Sequence, residues 1–169
     1  GERQSSPGRN IMRTPQDILG QLPAGRVLDV ATGNGAFIHF LLERLKGYTE
    51  IIGIDTNGRA AAAFEAAFAD KPNIRFRSMD ACHLEFDAES FDLACISNSL
   101  HHFDDPRAVL HQMVRVLRPG GHLLVCEMYR DGQTEAQMTH VHLHHWWGAV
   151  DSVNGLTHHE TYLRQELVG

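Results

Sequence analysis

Three aspartates, each at the end of a short apolar segment, and two closely spaced glycines could form a ligand-binding site. Asp29 lies in an apolar run that leads to Gly33 and Gly35, and Asp55 and Asp80 end two later runs. Glycine has no Cβ, so a ligand can approach its backbone closely. A strand that ends in a glycine loop opening a helix points free backbone N–H groups and the positive end of the helix dipole at one place. This arrangement suits a ligand with a phosphate or carboxylate group.

The spacing of these residues separates two ligand classes, a dinucleotide and S-adenosylmethionine. Dinucleotide sites need a third glycine, in the pattern G-x-G-x-x-G, and Ile38 occupies that position here. Asp29 can hold the loop and offer an acceptor to an ammonium group, which a methionine group has and a pyrophosphate lacks. Asp55 lies 20 residues beyond Gly35, a spacing at which an acid on the neighbouring strand can accept from both ribose hydroxyls. The alternative for Asp55 is that it only caps the next helix.

Two segments of the chain resemble a known family. The glycine loop Ala31-Thr32-Gly33-Asn34-Gly35 resembles the first motif of the class I S-adenosylmethionine-dependent methyltransferases. The block 91–128, with Val116-Leu117-Arg118-Pro119-Gly120-Gly121 before the fifth strand, resembles small-molecule methyltransferases such as those of quinone biosynthesis. The resemblance covers about residues 27 to 128.

The resemblance implies S-adenosylmethionine as the cofactor and gives several residues a role. Asp80 would accept from the exocyclic amine of adenine and the next backbone N–H would reach a ring nitrogen, unless Asp80 only forms a turn. The cofactor-binding residues that we predict are Asp29, Ala31, Thr32, Gly33, Gly35, Asp55, Thr56, Asp80, Ala81 and Ser97.

Two histidines, His101 and His102, follow the fourth predicted strand. Methyl transfer from a sulfonium is an in-line displacement with an activated donor, so the protein mainly positions the reactants. A base is useful when the acceptor must lose a proton, and histidine suits this near neutral pH. Because the family places the residues after this strand beside the reactive methyl, we predict His101, and then His102, as catalytic. The alternative is that they shape the pocket or cap the following helix.

A second group of histidines lies in the C-terminal region at positions 140, 142, 144, 145, 158 and 159. On a helix His140 and His144 share one face, a spacing that can chelate zinc, and Asp151 or His158 could complete the ligand set. The group could also line an acceptor pocket together with Trp146 and Trp147. The plainest interpretation is a packed or solvated helix, and the sequence alone assigns no metal site.

Alternating strand and helix patterns must position these side chains. Apolar runs predict strands at 27–30, 50–55, 74–80, 90–97 and 122–128, and helical spacing predicts helices from 36, at 59–70, from 106 and at 133–150. Thr14 and Pro15 have the form of a helix start. This alternation predicts an α/β fold, a Rossmann-like doubly wound sheet of the class I methyltransferase type with ligand sites at the C-terminal strand ends.

The C-terminal region departs from the family pattern. The family's sheet normally ends with an antiparallel pair of strands, which this sequence lacks, so we predict a helical segment at 133–169 that is truncated. The fifth strand would then have an unpaired edge, which favours a homodimer.

Composition limits the class of protein. We predict one S-adenosylmethionine-binding domain over residues 1–169, with a flexible lead-in at 1–10. The net charge of −6 and scattered basic residues disfavour a nucleic-acid partner. Three cysteines without a short paired spacing indicate reduced thiols in a cytoplasmic protein. No apolar segment approaches the roughly 18 to 20 residues of a membrane span.

Three functions are compatible with these features. The first is an enzyme that transfers a methyl group from S-adenosylmethionine to a small-molecule acceptor by in-line displacement. The second is a non-catalytic S-adenosylmethionine-binding module. The third, disfavoured by Ile38, is an NAD-binding oxidoreductase domain.

Overall fold

The computed structural model describes residues 15–22, 24–154 and 156–168. The predicted lead-in at 1–10 and the cap at Thr14 lie outside these ranges. The described residues form an α/β fold, a parallel sheet with helices packed on both faces, which agrees with the predicted fold class.

Five parallel strands form the central sheet, in the order β3-β2-β1-β4-β5. The crossover after β3 takes the chain from one edge to the other side of β1, so the carboxyl ends of β1 and β4 border the switch point at which such sheets bind ligands. The strands are β1 Arg26–Val30, β2 Glu50–Asp55, β3 Ile74–Ser78, β4 Phe91–Ser97 and β5 Leu117–Cys126.

Helices lie between consecutive strands, except between β3 and β4, which a loop joins, and the helices cover both faces of the sheet. Some of the helix starts show side-chain capping: the Asp105 side chain accepts from the Ala108 N–H at 3.0 Å, and Thr134 with Gln137 forms a capping box. The helices are α1 Pro15–Leu19, α2 Ala36–Leu42, α3 Gly58–Ala67, α4 Pro106–Val116, α5 Glu135–Val153 and α6 Arg164–Val168, with a 3-10 turn at Leu100–His102.

Two apolar cores lie on opposite sides of the sheet. On one side Leu28, Ile54 and Ile96 pack with the buried face of α4. On the other side Val27 and Ile51 join the cluster that contains α2 and α3 residues. The central strands are therefore covered twice, which explains their continuous apolar sequences.

The fifth strand differs from its predicted bounds. Residues Arg118 to Gly121, which precede the predicted fifth strand, belong to β5 as a bulge: Phe91 pairs with Leu117, and the register shifts before Leu93 pairs with His122. Gly120 has φ of +79°, a left-handed conformation that accommodates the irregularity. Among the described strands none is antiparallel, and β5 forms one edge of the sheet.

The two glycines of the loop after β1 meet different surroundings, which gives a matched pair of substitutions. Both have positive φ, +52° at Gly33 and +84° at Gly35. A Cβ at Gly35 would lie 2.3 Å from Cε2 of buried Phe68, whereas one at Gly33 would have no atom within 4 Å. We expect Gly35→Ala to lower the free energy of unfolding by about 2–4 kcal/mol, through left-handed strain plus overpacking.

Gly33→Ala is the control, because it adds the strain without the clash and should cost only about 1 kcal/mol. Urea unfolding of both variants measures the difference. Equal losses would show that Phe68 moves away freely.

Candidate functional site

The loop after β1 is fastened to β2 through Thr32. The Thr32 N–H donates to the Ile54 carbonyl at 2.9 Å, and the Gly35 N–H donates to the Thr32 carbonyl at 2.9 Å. The methyl and hydroxyl of Thr32 lie over Gly53, where a Cβ would come within 2.7 Å of the hydroxyl oxygen. Ala31, at the first position of the loop, has φ of +55°. The loop therefore holds a tight, defined shape.

Asp29 lies beneath this loop, where it is 1% exposed. Its Oδ2 accepts from the Thr32 hydroxyl at 2.6 Å, and the Cys95 thiol lies 3.6 Å from Oδ1. Burial raises the pKa of Asp29 to about 7, against the opposing effect of the bonds from Thr32 and Cys95. Asp29 thus contacts the loop, as predicted, but through the Thr32 side chain and without an open face.

Asp55 joins the loop to the next helix from the end of β2. Its Oδ2 accepts from the Gly33 N–H at 2.9 Å and its Oδ1 from the Asn57 N–H at 2.9 Å. The helix cap itself is Asn57, whose side chain accepts from the Arg59 N–H. Each carboxylate oxygen keeps further acceptor capacity, which two ribose hydroxyls could use. Thr56 beside it is exposed.

Asp80 follows β3 and is exposed, whereas Ala81 is buried. The Asp80 carboxylate accepts from the Cys82 N–H at 2.8 Å and lies 3.2 Å from His83 Nδ1. These two hydrogen bonds, that from Cys82 first, hold the pKa of Asp80 below its usual value. The turn-forming alternative therefore describes the Asp80 geometry, and an ionised carboxylate at this position still has lone pairs to offer an amine.

These residues fit S-adenosylmethionine. Open space lies over Gly33, where a Cβ would touch nothing. The Asp55 carboxylate, bonded to the Gly33 N–H, can accept from hydroxyl groups, and the exposed Asp80 carboxylate after β3 can accept from an amine. Asp29 is buried beneath the loop and holds it through Thr32. This donor and acceptor set complements a nucleoside that carries an amino acid.

The end of β4 leads into the catalytic candidates. The Ser97 carbonyl accepts from the Ser99 hydroxyl at 2.8 Å, and His101 in the following 3-10 turn is 3% exposed. His101 Nδ1 lies 3.0 Å from Oε1 of Glu127, and the other oxygen of Glu127 accepts from the Leu100 N–H at 2.9 Å.

Glu127 is a site residue that the sequence reasoning missed. Its side chain is 1% exposed, directly after β5. The signal that could have found it is the one used for Asp55, an acid at the carboxyl end of a predicted parallel strand.

Three histidines from distant parts of the chain meet at this point. His144 Nε2 on α5 lies 3.0 Å from His101 Nε2 and 3.2 Å from His158 Nε2. His158 Nδ1 lies 2.7 Å from Oδ2 of Asp151. Burial and the neighbouring His101 and His158 lower the pKa of His144 to about 4, so its ring is neutral at physiological pH. The predicted His140 and His144 pair is not what the structure describes, since the side chain of His140 lies outside the described residues.

The remaining histidines divide between the rim and the scaffold. His102 lies at the rim with part of its surface exposed, and the desolvation of the covered part, followed by the proximity of His101, lowers its pKa. His145 Nε2 lies 2.7 Å from the hydroxyl of buried Thr161 and fastens the C-terminal segment to α5. Trp146 and Trp147 are 63% and 58% exposed.

The histidine group borders a cavity of about 330 Å³ at the carboxyl end of the sheet. Trp147 lines it, as the pocket alternative predicted for that residue. The cavity is lined by Asn98, His101, His102, Met128, His144, Trp147 and His158.

A wider depression of about 630 Å³ lies at the opposite end of the sheet. Gly25, Thr49 and Asp92, which precede or begin strands, are among its lining residues. Parallel sheets bind ligands at the carboxyl ends of their strands, so we place the functional site at the histidine-lined cavity and the glycine loop.

Comparison with known proteins agrees with this geometry. The profile of a family described as "Methyltransferase domain" matches residues 27–121, more than half of the chain. A demethylmenaquinone methyltransferase of Thermus thermophilus is 38% identical over 116 residues, which are 68% of this chain and 52% of that protein. The chain spans about half the length of the curated relatives it matches.

Two solved structures extend the comparison. The YcgJ protein from Bacillus subtilis superposes with a TM-score of 0.70 over 90% of this chain and 62% of that one at 22% identity, a likeness of fold. An S-adenosylmethionine-dependent methyltransferase from Mesorhizobium loti gives a TM-score of 0.55 over 62% of this chain and 47% of that one, with 28% identity.

In the part of the chain that the structure describes, no helix has both the length and the apolar character needed to cross a membrane. The matched family, the order of the strands in the sheet and the hydrogen bonds of the loop after β1 are all consistent with a methyltransferase domain. This chain belongs to the methyltransferase domain family, within the class I S-adenosylmethionine-dependent methyltransferases.

Proposed function

We propose that this chain binds S-adenosylmethionine over the loop after β1 and transfers its methyl group to a small-molecule acceptor held in the histidine-lined cavity. The observation that carries the proposal is the Asp55 carboxylate, which bonds the Gly33 N–H at 2.9 Å while open space remains over Gly33. Because this chain matches only about half the length of the relatives named as methyltransferases, its activity is itself part of the proposal.

In the bound state two of the acids would contact the cofactor. Asp55 would accept from the ribose hydroxyls and Asp80 from the adenine amine, beside Ala81. Asp29, buried under the loop, would act through its bond to the Thr32 hydroxyl by shaping the loop that faces the methionine part. Further cofactor contacts would come from Ala31, Thr32, Gly35, Thr56 and Ser97.

The transfer moves a methyl group from the sulfonium sulfur to the acceptor atom, and the acceptor loses its proton. Both ring nitrogens of His101 are engaged, by Glu127 and by His144. His102 lines the same cavity, is exposed and has a lowered pKa, so it is neutral near pH 7 and free to accept a proton. The geometry therefore favours His102 over His101 as the base.

The proposal predicts selective stabilisation by one cofactor. A ligand at 100 times its dissociation constant adds about 2.7 kcal/mol to the folded state. For a domain of this size that corresponds to a rise in melting temperature of about 5–10 °C. We expect S-adenosylmethionine and S-adenosylhomocysteine to produce this rise in a thermal-shift titration and NAD to produce none.

A second measurement separates an enzyme from a non-catalytic binding module. An enzyme releases S-adenosylhomocysteine in the presence of an acceptor, and a binding module does not. A panel that includes phenols, quinols, amines and thiols tests this, with His102→Ala expected to slow release and leave cofactor affinity unchanged. Stabilisation by NAD alone would refute the proposal.

We also propose a cytoplasmic location, supported by the three free thiols of Cys82, Cys95 and Cys126. The acceptor that we propose is a small molecule rather than a nucleic acid.

We further propose that two copies of the chain associate through β5. Support for this association comes from the edge position of β5 and its exposed Leu123 and Val125. Sedimentation of a single species at the monomer mass would exclude the dimer.

A further inference from the structure

We propose that His101, His144 and His158 form a binding site for one divalent transition-metal ion of the zinc type, and that this ion holds the methyl acceptor. The site is independent of the glycine loop, but the role given to the ion rests on the proposed function.

The positions of the three ring nitrogens match a metal site. The ligand atoms all lie within 4.8 Å of one another, with Nε2–Nε2 distances of 3.0 Å and 3.2 Å to His144. Two nitrogens bound to tetrahedral zinc at about 2.0–2.1 Å are roughly 3.3 Å apart. Small side-chain shifts would therefore place one ion at bonding distance from all three.

The hydrogen bonds behind two of the rings fix which nitrogen is free. His101 Nδ1 faces the Glu127 carboxylate and His158 Nδ1 faces the Asp151 carboxylate, so each Nδ1 must donate. With the proton on Nδ1, the lone pair of each ring lies on Nε2, and both Nε2 atoms point at His144. Histidine ligands of metals are commonly oriented in this way by a carboxylate on the other nitrogen.

Charge also favours a cation at this point. The Glu127 side chain is 1% exposed and that of Asp151 is 17% exposed, and the ion pairs that the described residues give them are with His101 and His158. Buried carboxylates need compensating positive charge. A divalent ion on three neutral imidazoles supplies two charges for the two carboxylates.

The backbone brings the ligands together before any ion binds. The His159 N–H donates to the His101 carbonyl at 2.7 Å, which sets the neighbouring His158 against the 3-10 turn. The Thr157 hydroxyl donates to the Asp104 carboxylate at 2.6 Å, a second hydrogen bond that holds the segment before His158 near the 3-10 turn. Ligands held in place by their scaffold lose little entropy on binding.

Three protein ligands leave a tetrahedral ion with one open position, which is the pattern of catalytic zinc. Asn98, Met128 and Trp147 line the cavity next to the three histidines. An acceptor hydroxyl or thiol bound at the open position would have its pKa lowered. His102, at the rim, would take the released proton.

The test is metal binding by the untagged full chain without cofactor or acceptor. We expect one zinc per chain by elemental analysis after dialysis, and the visible absorption of tetrahedral Co²⁺ when cobalt replaces zinc. His144→Ala and His158→Ala should weaken zinc binding at least about 100-fold in competition with a chromophoric chelator. Asp151→Asn should weaken it about 10- to 100-fold, since it only orients a ligand.

His142→Ala is the matched control, because His142 is exposed on the same helix and should not change the affinity. Circular dichroism of the metal-free variants checks folding, and Asp151→Asn keeps the test decisive if a histidine variant unfolds. Less than one-fifth of a zinc per chain, or equal binding by His144→Ala and His142→Ala, would overturn the site. Because S-adenosylmethionine is absent, this result is independent of the cofactor titration.

Discussion

Replacing Asp55 with alanine is expected to weaken the binding of S-adenosylmethionine at least about 100-fold, which is roughly 2.7 kcal/mol. Hydrogen bonds to a charged group contribute about 1.5–3 kcal/mol each, and two ribose hydroxyls would lose theirs. The substitution also removes the acceptor of the Gly33 N–H at 2.9 Å and of the Asn57 N–H at 2.9 Å, which leaves the loop less ordered. Isothermal titration of the cofactor against the variant measures the change.

Two further variants separate cofactor contact from loss of structure. Asp55→Glu keeps the charge on a longer side chain and should recover part of the affinity. Asp70→Asn, whose side chain is 77% exposed beside Lys71, should bind as the unmodified chain does. If Asp55→Ala binds within threefold of the unmodified chain while its melting temperature falls, Asp55 supports the loop and does not contact the cofactor.

The sequence predicted the sheet well because its central strands are covered on both faces. The buried runs at 51–54 and 93–96 fit a strand covered on both faces, and parallel pairing then places the carboxyl ends of all strands at one edge of the sheet. For this reason Asp55 and Asp80 could be predicted to lie at the same edge of the sheet, at the carboxyl ends of neighbouring strands. The same argument, applied to β5, would have included Glu127.

The bulge in β5 could not be predicted in this way. Proline and two glycines at 119–121 indicate a turn locally, yet pairing of Leu117 with Phe91 draws them into the strand. Tertiary pairing overrides the local preference.

The histidine group is another feature outside the reach of sequence periodicity. Helical spacing suggested His140 as the partner of His144, because only neighbours on one helix can be inferred from spacing. The partners that the structure supplies, His101 and His158, come from a 3-10 turn and a C-terminal segment held by the His159 to His101 backbone bond. Contacts between residues so far apart in the sequence depend on the tertiary fold, and no local sequence pattern predicts them.

The degree of burial of the three aspartates could not be predicted from the sequence either. Asp29, Asp55 and Asp80 occupy equivalent places in the sequence pattern, but the first is 1% exposed and the last is exposed. Burial raises the pKa of Asp29 to about 7, whereas hydrogen bonds hold the pKa of Asp80 below its usual value. These two carboxylates therefore contribute differently to stability.

The buried acid should make the stability of the folded chain depend strongly on pH. In the unfolded chain Asp29 ionises near pH 4, and in the folded chain near pH 7, because burial disfavours its charge. Between these values the folded state holds one more proton than the unfolded state, so the contribution of Asp29 to stability falls as pH rises from about 4 to 7. Its full size is about 4 kcal/mol, from 1.36 kcal/mol for each pKa unit.

Asp29→Asn isolates this contribution, since asparagine cannot ionise and its carbonyl can still accept from the Thr32 hydroxyl. Urea unfolding of both proteins at pH 4.5, 6 and 8 measures the free energies of unfolding, and all other titrating groups cancel in their difference. Relative to the unmodified chain, the variant should gain about 3 kcal/mol between the lowest and highest pH, because about 1 kcal/mol of the Asp29 contribution is already lost below pH 4.5. Asp70→Asn, which removes an exposed carboxylate, should show little change in this difference. A flat difference for Asp29→Asn would mean that water reaches the carboxylate and that the loop covers Asp29 less tightly than its burial indicates.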